Sequence, residues 1–169
     1  CDAGDLETLS AERVWQEFVK ALAAPNPGRF FEVLEACGGL MYWLPECAGM
    51  SLGSLPTHRS DPAACFALLP ISATGLAAVL ARLRGPNRFA QLAADRHAYL
   101  SMLEQWPMVD PSECYRMLEK LRVTHAEERL LQLVDLISAA AIRLRLRAEL
   151  PELIAQLPGS TVAPLSGQR

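Results

Sequence analysis

The sequence predicts an all-α protein, a multi-helix bundle or array with a long C-terminal helix. Three observations carry that expectation. Alanine, leucine, arginine and glutamate dominate while isoleucine, valine and threonine are sparse, which favours helix over strand. Proline and glycine recur at spacings that cut the chain into helix-length segments. Several of those segments open on a legible cap. With 51% hydrophobic and 21% charged residues over 169 positions, the chain has the profile of a globular protein of one domain or two small ones.

The elements follow in order. Ser10 caps a first helix over residues 11–24, with Glu12 favourable to its dipole and Leu9 placed to pack on Val14. Asn26-Pro27 restarts the chain as N-cap and first helical residue, Phe30, Phe31 and Leu34 form an apolar stripe, and Gly38-Gly39 ends it. Residues 40–44 make a short helix stopped by Pro45. Residues 47–60 lack a sustained period and read as a loop, the expected boundary between subdomains. Residues 1–46 then form the first segment and residues 61–157 a helical body. In that body Asp61-Pro62 opens an apolar helix interrupted by Pro70, residues 75–84 continue helically to Gly85-Pro86, and residues 87–105 form another helix. Asp110-Pro111-Ser112-Glu113 and Thr124-His125-Ala126-Glu127 are capping boxes. The second should open a long helix through Glu149 with Leu130, Leu133, Val134, Ile137 and Ala141 on one face, bent or broken at Pro151. Residues 158–169 are small and polar and should fray as a tail.

No apolar run approaches the roughly 20 residues that span a bilayer, and the N-terminal residues show no basic segment leading into an apolar one. A cytoplasmic chain with no membrane partner is expected. The five cysteines, Cys1, Cys37, Cys47, Cys65 and Cys114, are odd in number and include no C-x-x-C pair, which argues against a disulfide scaffold or a zinc site. A chain starting on Cys1 without Met reads as a cut piece of something longer. Net charge is −3 but unevenly spread: −5 over residues 1–78, +3 over residues 79–147 and −1 over residues 148–169. A phosphate-facing surface is therefore expected in the second half.

Residues 9–46, LSAERVWQEFVKALAAPNPGRFFEVLEACGGLMYWLPE, carry an E-R-x-x-x-E pattern as Glu12, Arg13 and Glu17, followed by Phe30–Leu40 and Leu44–Glu46. This combination resembles the segment that follows the catalytic region in bacterial CCA-adding tRNA nucleotidyltransferases and their poly(A) polymerase relatives. Weaker similarity continues through residues 82–97 and 106–121. The resemblance implies a parent enzyme that uses CTP, ATP and Mg to add nucleotides to the tRNA 3′ end. It implies that the catalytic head, and the neck residues that read the incoming base, would precede Cys1. What remains is the end of the neck and the body, with tRNA and the missing N-terminal catalytic domain as partners. No catalytic residue, metal ligand or cofactor is then expected in this chain.

Glu12, Arg13 and Glu17 match the family's fifth motif. Arg13 and Glu17 lie four apart on one helix face, so either a solvated ion pair or a brace between neck and body fits them. Many relatives also carry a histidine-aspartate phosphohydrolase module, but its F-A-x-L-x-H-D segment aligns with residues 66–72, where Ile71-Ser72 replaces the ligating pair. His58, His97 and His125 are isolated, which favours surface or capping roles. No phosphate-cradling glycine loop or nucleophile elbow occurs. Arg143, Arg145 and Arg147 are the local candidates for RNA contact, since Arg143 and Arg147 share a face and guanidinium groups pair with phosphate. A solvated helix face with cations near its C-terminus is the alternative reading, and the simpler one from sequence alone. Trp15, Trp43 and Trp106 sit in apolar stretches and read as core. Two functions stand: the non-catalytic body portion of a tRNA nucleotidyltransferase, bracing the catalytic half and contacting tRNA, or a free-standing helical protein-interaction module derived from that family.

Overall fold

A computed structural model describes residues 8–51, 55, 61–123 and 127–156. The expected Thr124 cap, His58, His125, Cys1, most of the 47–60 loop and the 158–169 tail lie outside the described residues. Those residues form helices and turns and no strand, so the chain is all-α. The chain divides after Ala94 into two compact units.

In the first unit, α1 spans Ala11–Leu22 and starts where Ser10, in extended conformation, accepts a hydrogen bond from the Arg13 backbone N–H at 3.4 Å. Its buried residues Val14, Trp15, Phe18 and Leu22 fall on one face. Helix α2 covers Gly28–Ala36 and is capped by Pro27, one residue later than the Asn26 cap expected from sequence. Gly38, left-handed at φ 74°, turns the chain into α3, Gly39–Trp43, and a 3₁₀ turn follows over Pro45–Cys47. Helix α4, Pro62–Ala67, begins where the Asp61 carboxylate accepts the Ala63 N–H at 3.0 Å, and it is buried from Ala63 to Ala67. Ser72 caps α5, Ala73–Leu83, and α6 runs over Asn87–Leu103.

Helix α1 packs against α4 and α5 through one aromatic cluster. All five phenylalanines of the chain meet there around Trp15. The Trp15 ring stands edge-on to Phe89 at 4.8 Å between centroids, and Phe66 lies 5.7 Å from Phe89. Edge-to-face pairs of this kind contribute about 0.5–1.5 kcal/mol each beyond their buried area. Gly85 belongs to this packing. A Cβ there would come within 2.4 Å of Leu80 Cδ2 and 3.0 Å of the Trp15 ring, so the site admits only glycine without displacement.

The second unit holds the rest of α6, then α7, Pro111–Lys120, α8, Glu127–Asp135, and α9, Ala140–Ala155. Asp110 caps α7 by accepting the Ser112 and Glu113 N–H groups at 2.8 and 3.2 Å. Its carboxyl is held below the usual range by hydrogen bonds, first from the Ser112 hydroxyl and then from these amides. The single long helix expected from residue 124 to Glu149 is corrected to two helices with a break at residues 136–139. Leu136 and Ile137 are both fully buried, and the turn that buries them swings α9 back onto α8. Ala141, expected on the buried face, is exposed, and α9 buries Leu146, Leu150 and Ile154 instead. Helix α9 also runs through Pro151 to Ala155 rather than breaking there, although Pro151 offers no N–H to the Arg147 carbonyl.

Candidate nucleic-acid interface

The motif carboxylates sit on α1 and just after α3, and both find arginines of the α5 end. Glu12 Oε1 accepts from Arg84 Nη1 at 2.6 Å in an exposed pair. Glu46 accepts a two-pronged hydrogen bond from Arg82 at 2.7 and 2.5 Å, and Arg82 Nη1 also reaches the Trp43 carbonyl at 3.2 Å. The Glu46 and Arg82 side chains are only 19% and 31% exposed, so this fork is shielded from water and worth more than the surface pair. The hydrogen bond from Arg82 holds the Glu46 carboxyl below its ordinary value against the opposing effect of burial. Beside it the Cys47 thiol is pushed up to about 12, first by burial, which makes it inert.

The structure places the other sequence candidates as follows. Arg13 is exposed and makes no ion pair with Glu17 among the described residues, because Glu17 turns to Lys20 at 2.7 Å. Arg143 donates to the Ile137 carbonyl at 2.6 Å, capping the open end of α8. Arg147 pairs with Asp135 at 2.5 Å across the same break, and Arg145 pairs with Glu149 at 2.9 Å one turn along α9. All three thus have internal acceptors, but the Arg145 and Arg147 side chains are still 55% and 44% exposed. Trp15 and Trp43 are buried, and the Trp43 Nε1 has no hydrogen-bond partner among the described residues. Trp106 is half-buried and donates its ring N–H to Glu149 at 2.8 Å. His97 is exposed beside Arg96.

Sequence reasoning missed a buried carboxylate. Asp95 is 4% exposed and receives both Arg129 Nε and Nη2 at 2.6 and 2.7 Å. The DRH triplet at 95–97 gave a charged residue at that position but no sign of its partner. Ser72, which stands where the phosphohydrolase pattern would have a metal-binding carboxylate, is the cap of α5, its hydroxyl accepting the Gly75 N–H at 3.0 Å. An open cleft of about 400 Å³ at this point is lined by Glu46, Met50, Pro70, Ile71 and Ser72. Among the described residues no three His, Cys, Asp or Glu side chains gather as metal ligands. No described helix is long and apolar enough to cross a membrane.

The motif segments around Glu12 and Glu46 are thus tied to the end of α5 by two arginine–carboxylate pairs. Comparison with known proteins names the family. Residues 2–50 match a family model described as a probable RNA and SrmB- binding site of polymerase A. The chain is 32% identical over 147 residues to a CCA-adding enzyme of Coxiella burnetii, covering 81% of this chain and 39% of that protein. It is 31% identical over 134 residues to a CCA-adding enzyme of Pseudomonas putida, covering 75% and 36%. It is 36% identical over 107 residues to a multifunctional CCA protein of Methylococcus capsulatus, covering 63% and 24%. The chain is therefore a region of the CCA-adding enzyme and poly(A) polymerase family, spanning well under half the length of these relatives. No solved structure matches it.

Proposed function

We propose that this chain is the non-catalytic body portion of a tRNA nucleotidyltransferase that adds or repairs the 3′-terminal CCA, bracing the catalytic half and contacting tRNA. One observation carries the reading. The stretches that resemble the family, around Glu12, Glu46 and residues 82–84, are the stretches that the Glu12–Arg84 and Glu46–Arg82 pairs join. A brace needs such ties, since the force it transmits must pass through packed and hydrogen-bonded groups rather than a loop. CTP, ATP and Mg would be handled by the parent's catalytic half. In this reading Arg143 positions α9, while Arg145 and Arg147 are its RNA-contact candidates.

A second reading is a protein-interaction module. It is favoured by Val33, Met41 and Tyr42, large apolar side chains exposed on α2 and α3 within the matched residues 2–50. The test is to incubate the purified chain with a tRNA lacking its 3′ CCA, CTP, ATP and Mg, and to measure tRNA binding in parallel. Binding without nucleotide incorporation is expected. Incorporation would overturn the non-catalytic role, and absence of binding would favour the protein-interaction module.

A further inference from the structure

An apolar cleft in the second unit lies where the described residues leave off. We infer that this cleft is the docking site of the chain's own residues 157–169, with Val162, Ala163, Pro164 and Leu165 as the inserted run. A segment seated there is an intramolecular plug: a partner reaching for the same surface must first displace it.

The cleft encloses about 390 Å³, with Trp106, Val109, Tyr115 and Leu118 on one side and Leu153 and Gln156 of α9 on the other. That volume falls in the range of ligand-binding clefts, about 300–1,000 Å³. Much of the surrounding apolar surface stands in water. Tyr115 is 42% exposed, and Met108, between the lining residues Pro107 and Val109, is 85% exposed. Covering such surface stabilises by about 25 cal/mol per Å² of apolar area. The Trp106 ring N–H is already donated to Glu149 at 2.8 Å, so the indole needs no polar partner from whatever fills the cleft.

Position, sequence and charge select this occupant. Gln156 lines the cleft and directly precedes the segment, which therefore leaves from the rim. Leu157-Pro158-Gly159-Ser160 carries Pro and Gly at the two central positions of a type II turn, a combination that reverses the chain and sends residues 161–165 back toward the cleft. Ala163, preceding Pro164, favours extended backbone, the shape that grooves lined by aromatic side chains accept from proline-containing segments. Asp110, Glu113 and Glu152 are exposed beside lining residues, offset there by Arg116, whereas residues 157–169 contain no acidic residue and one arginine, Arg169. Tethering supplies the rest. A short flexible link gives an effective concentration of millimolar order, enough for a contact that would be weak between separate molecules.

The experiment follows deuterium exchange of the Thr161, Val162, Ala163 and Leu165 amides in the full 169-residue chain, against a free synthetic peptide of residues 157–169, with helicity checked by circular dichroism. In the wild type these amides should exchange more slowly than in the peptide by about tenfold or more. Val162→Ser with Leu165→Ser should return them to the peptide's rate without loss of helicity, and so should Tyr115→Ser with Leu153→Ser on the cleft side. Ser166→Gln should change nothing. Exchange at the peptide's rate in the wild type overturns the docking, and protection that survives the cleft-side variant overturns the cleft as its seat. Protection that grows with protein concentration overturns the intramolecular plug, since a second copy's segment would then fill the cleft.

Discussion

Glu46 and Arg82 lie 36 positions apart, yet their fork is the best-shielded ion pair among the described residues of the first unit. Removing one partner strands the other in a half-buried place. Glu46→Gln should therefore lower stability by about 1–3 kcal/mol at neutral pH, the scale of a lost hydrogen bond to a charged group. The pH dependence follows from the direction of the shift. The folded-state carboxyl titrates below the ordinary glutamate value, so the stabilisation is present in full above that ordinary value and is lost as pH falls through the lower folded value. The gap between wild type and Glu46→Gln, measured by denaturant unfolding from pH 7 down to about pH 3, should narrow with acidification. A gap independent of pH would mean that the carboxylate's charge contributes nothing. None of this is legible locally. The motif marks Glu46, but only the tertiary fold supplies Arg82, just as it supplies Arg129 to Asp95 and Arg84 to Glu12. Gly85 shows the same limit: its place after a helix suggests a left-handed cap, whereas Arg84 takes that conformation and Gly85 makes room for Trp15 and Leu80.

Helix starts are written in short-range chemistry, and at three of them sequence and structure agree, whereas the start expected at Asn26 falls one residue later at Pro27, with no side-chain cap. Ser10, Asp61 and Asp110 each accept the backbone N–H groups their cap positions foretell. The α8–α9 break is different in kind. Residues 136–139 hold neither proline nor glycine, and the apolar period runs on through Ile137, so nothing local stops the helix. What breaks it is burial of Leu136 and Ile137 together, with side chains of the next helix closing the exposed carbonyl end. Arg143 is thus a structural residue as well as a charge. Arg143→Gln should destabilise the chain by about 1–2 kcal/mol through loss of the charged donor to the Ile137 carbonyl. Thermal unfolding measures this, and an unchanged midpoint would show that the break holds without its arginine.

Across the whole chain, three arginines that look equivalent in the sequence acquire different tasks. Arg143 is partly buried and spends its guanidinium on the backbone, whereas Arg145 and Arg147 keep about half of their surface in water beside Glu149 and Asp135. Exposed pairs of this kind stabilise by only about 0–1 kcal/mol, so a phosphate can compete for either guanidinium at little cost to the fold. In the body reading, Arg145→Gln with Arg147→Gln should leave helicity and unfolding midpoint nearly unchanged while weakening tRNA binding and lowering its salt slope by up to about two. The all-α class and most helix starts can be anticipated from composition and caps, but this division of labour depends on which carbonyl and which carboxylate the α8–α9 turn brings within reach. Titration of tRNA at several salt concentrations, alongside Arg143→Gln, separates the two tasks: a fall in midpoint with an unchanged slope for the Arg145 and Arg147 variant would make all three arginines part of the fold and remove α9 from the RNA surface.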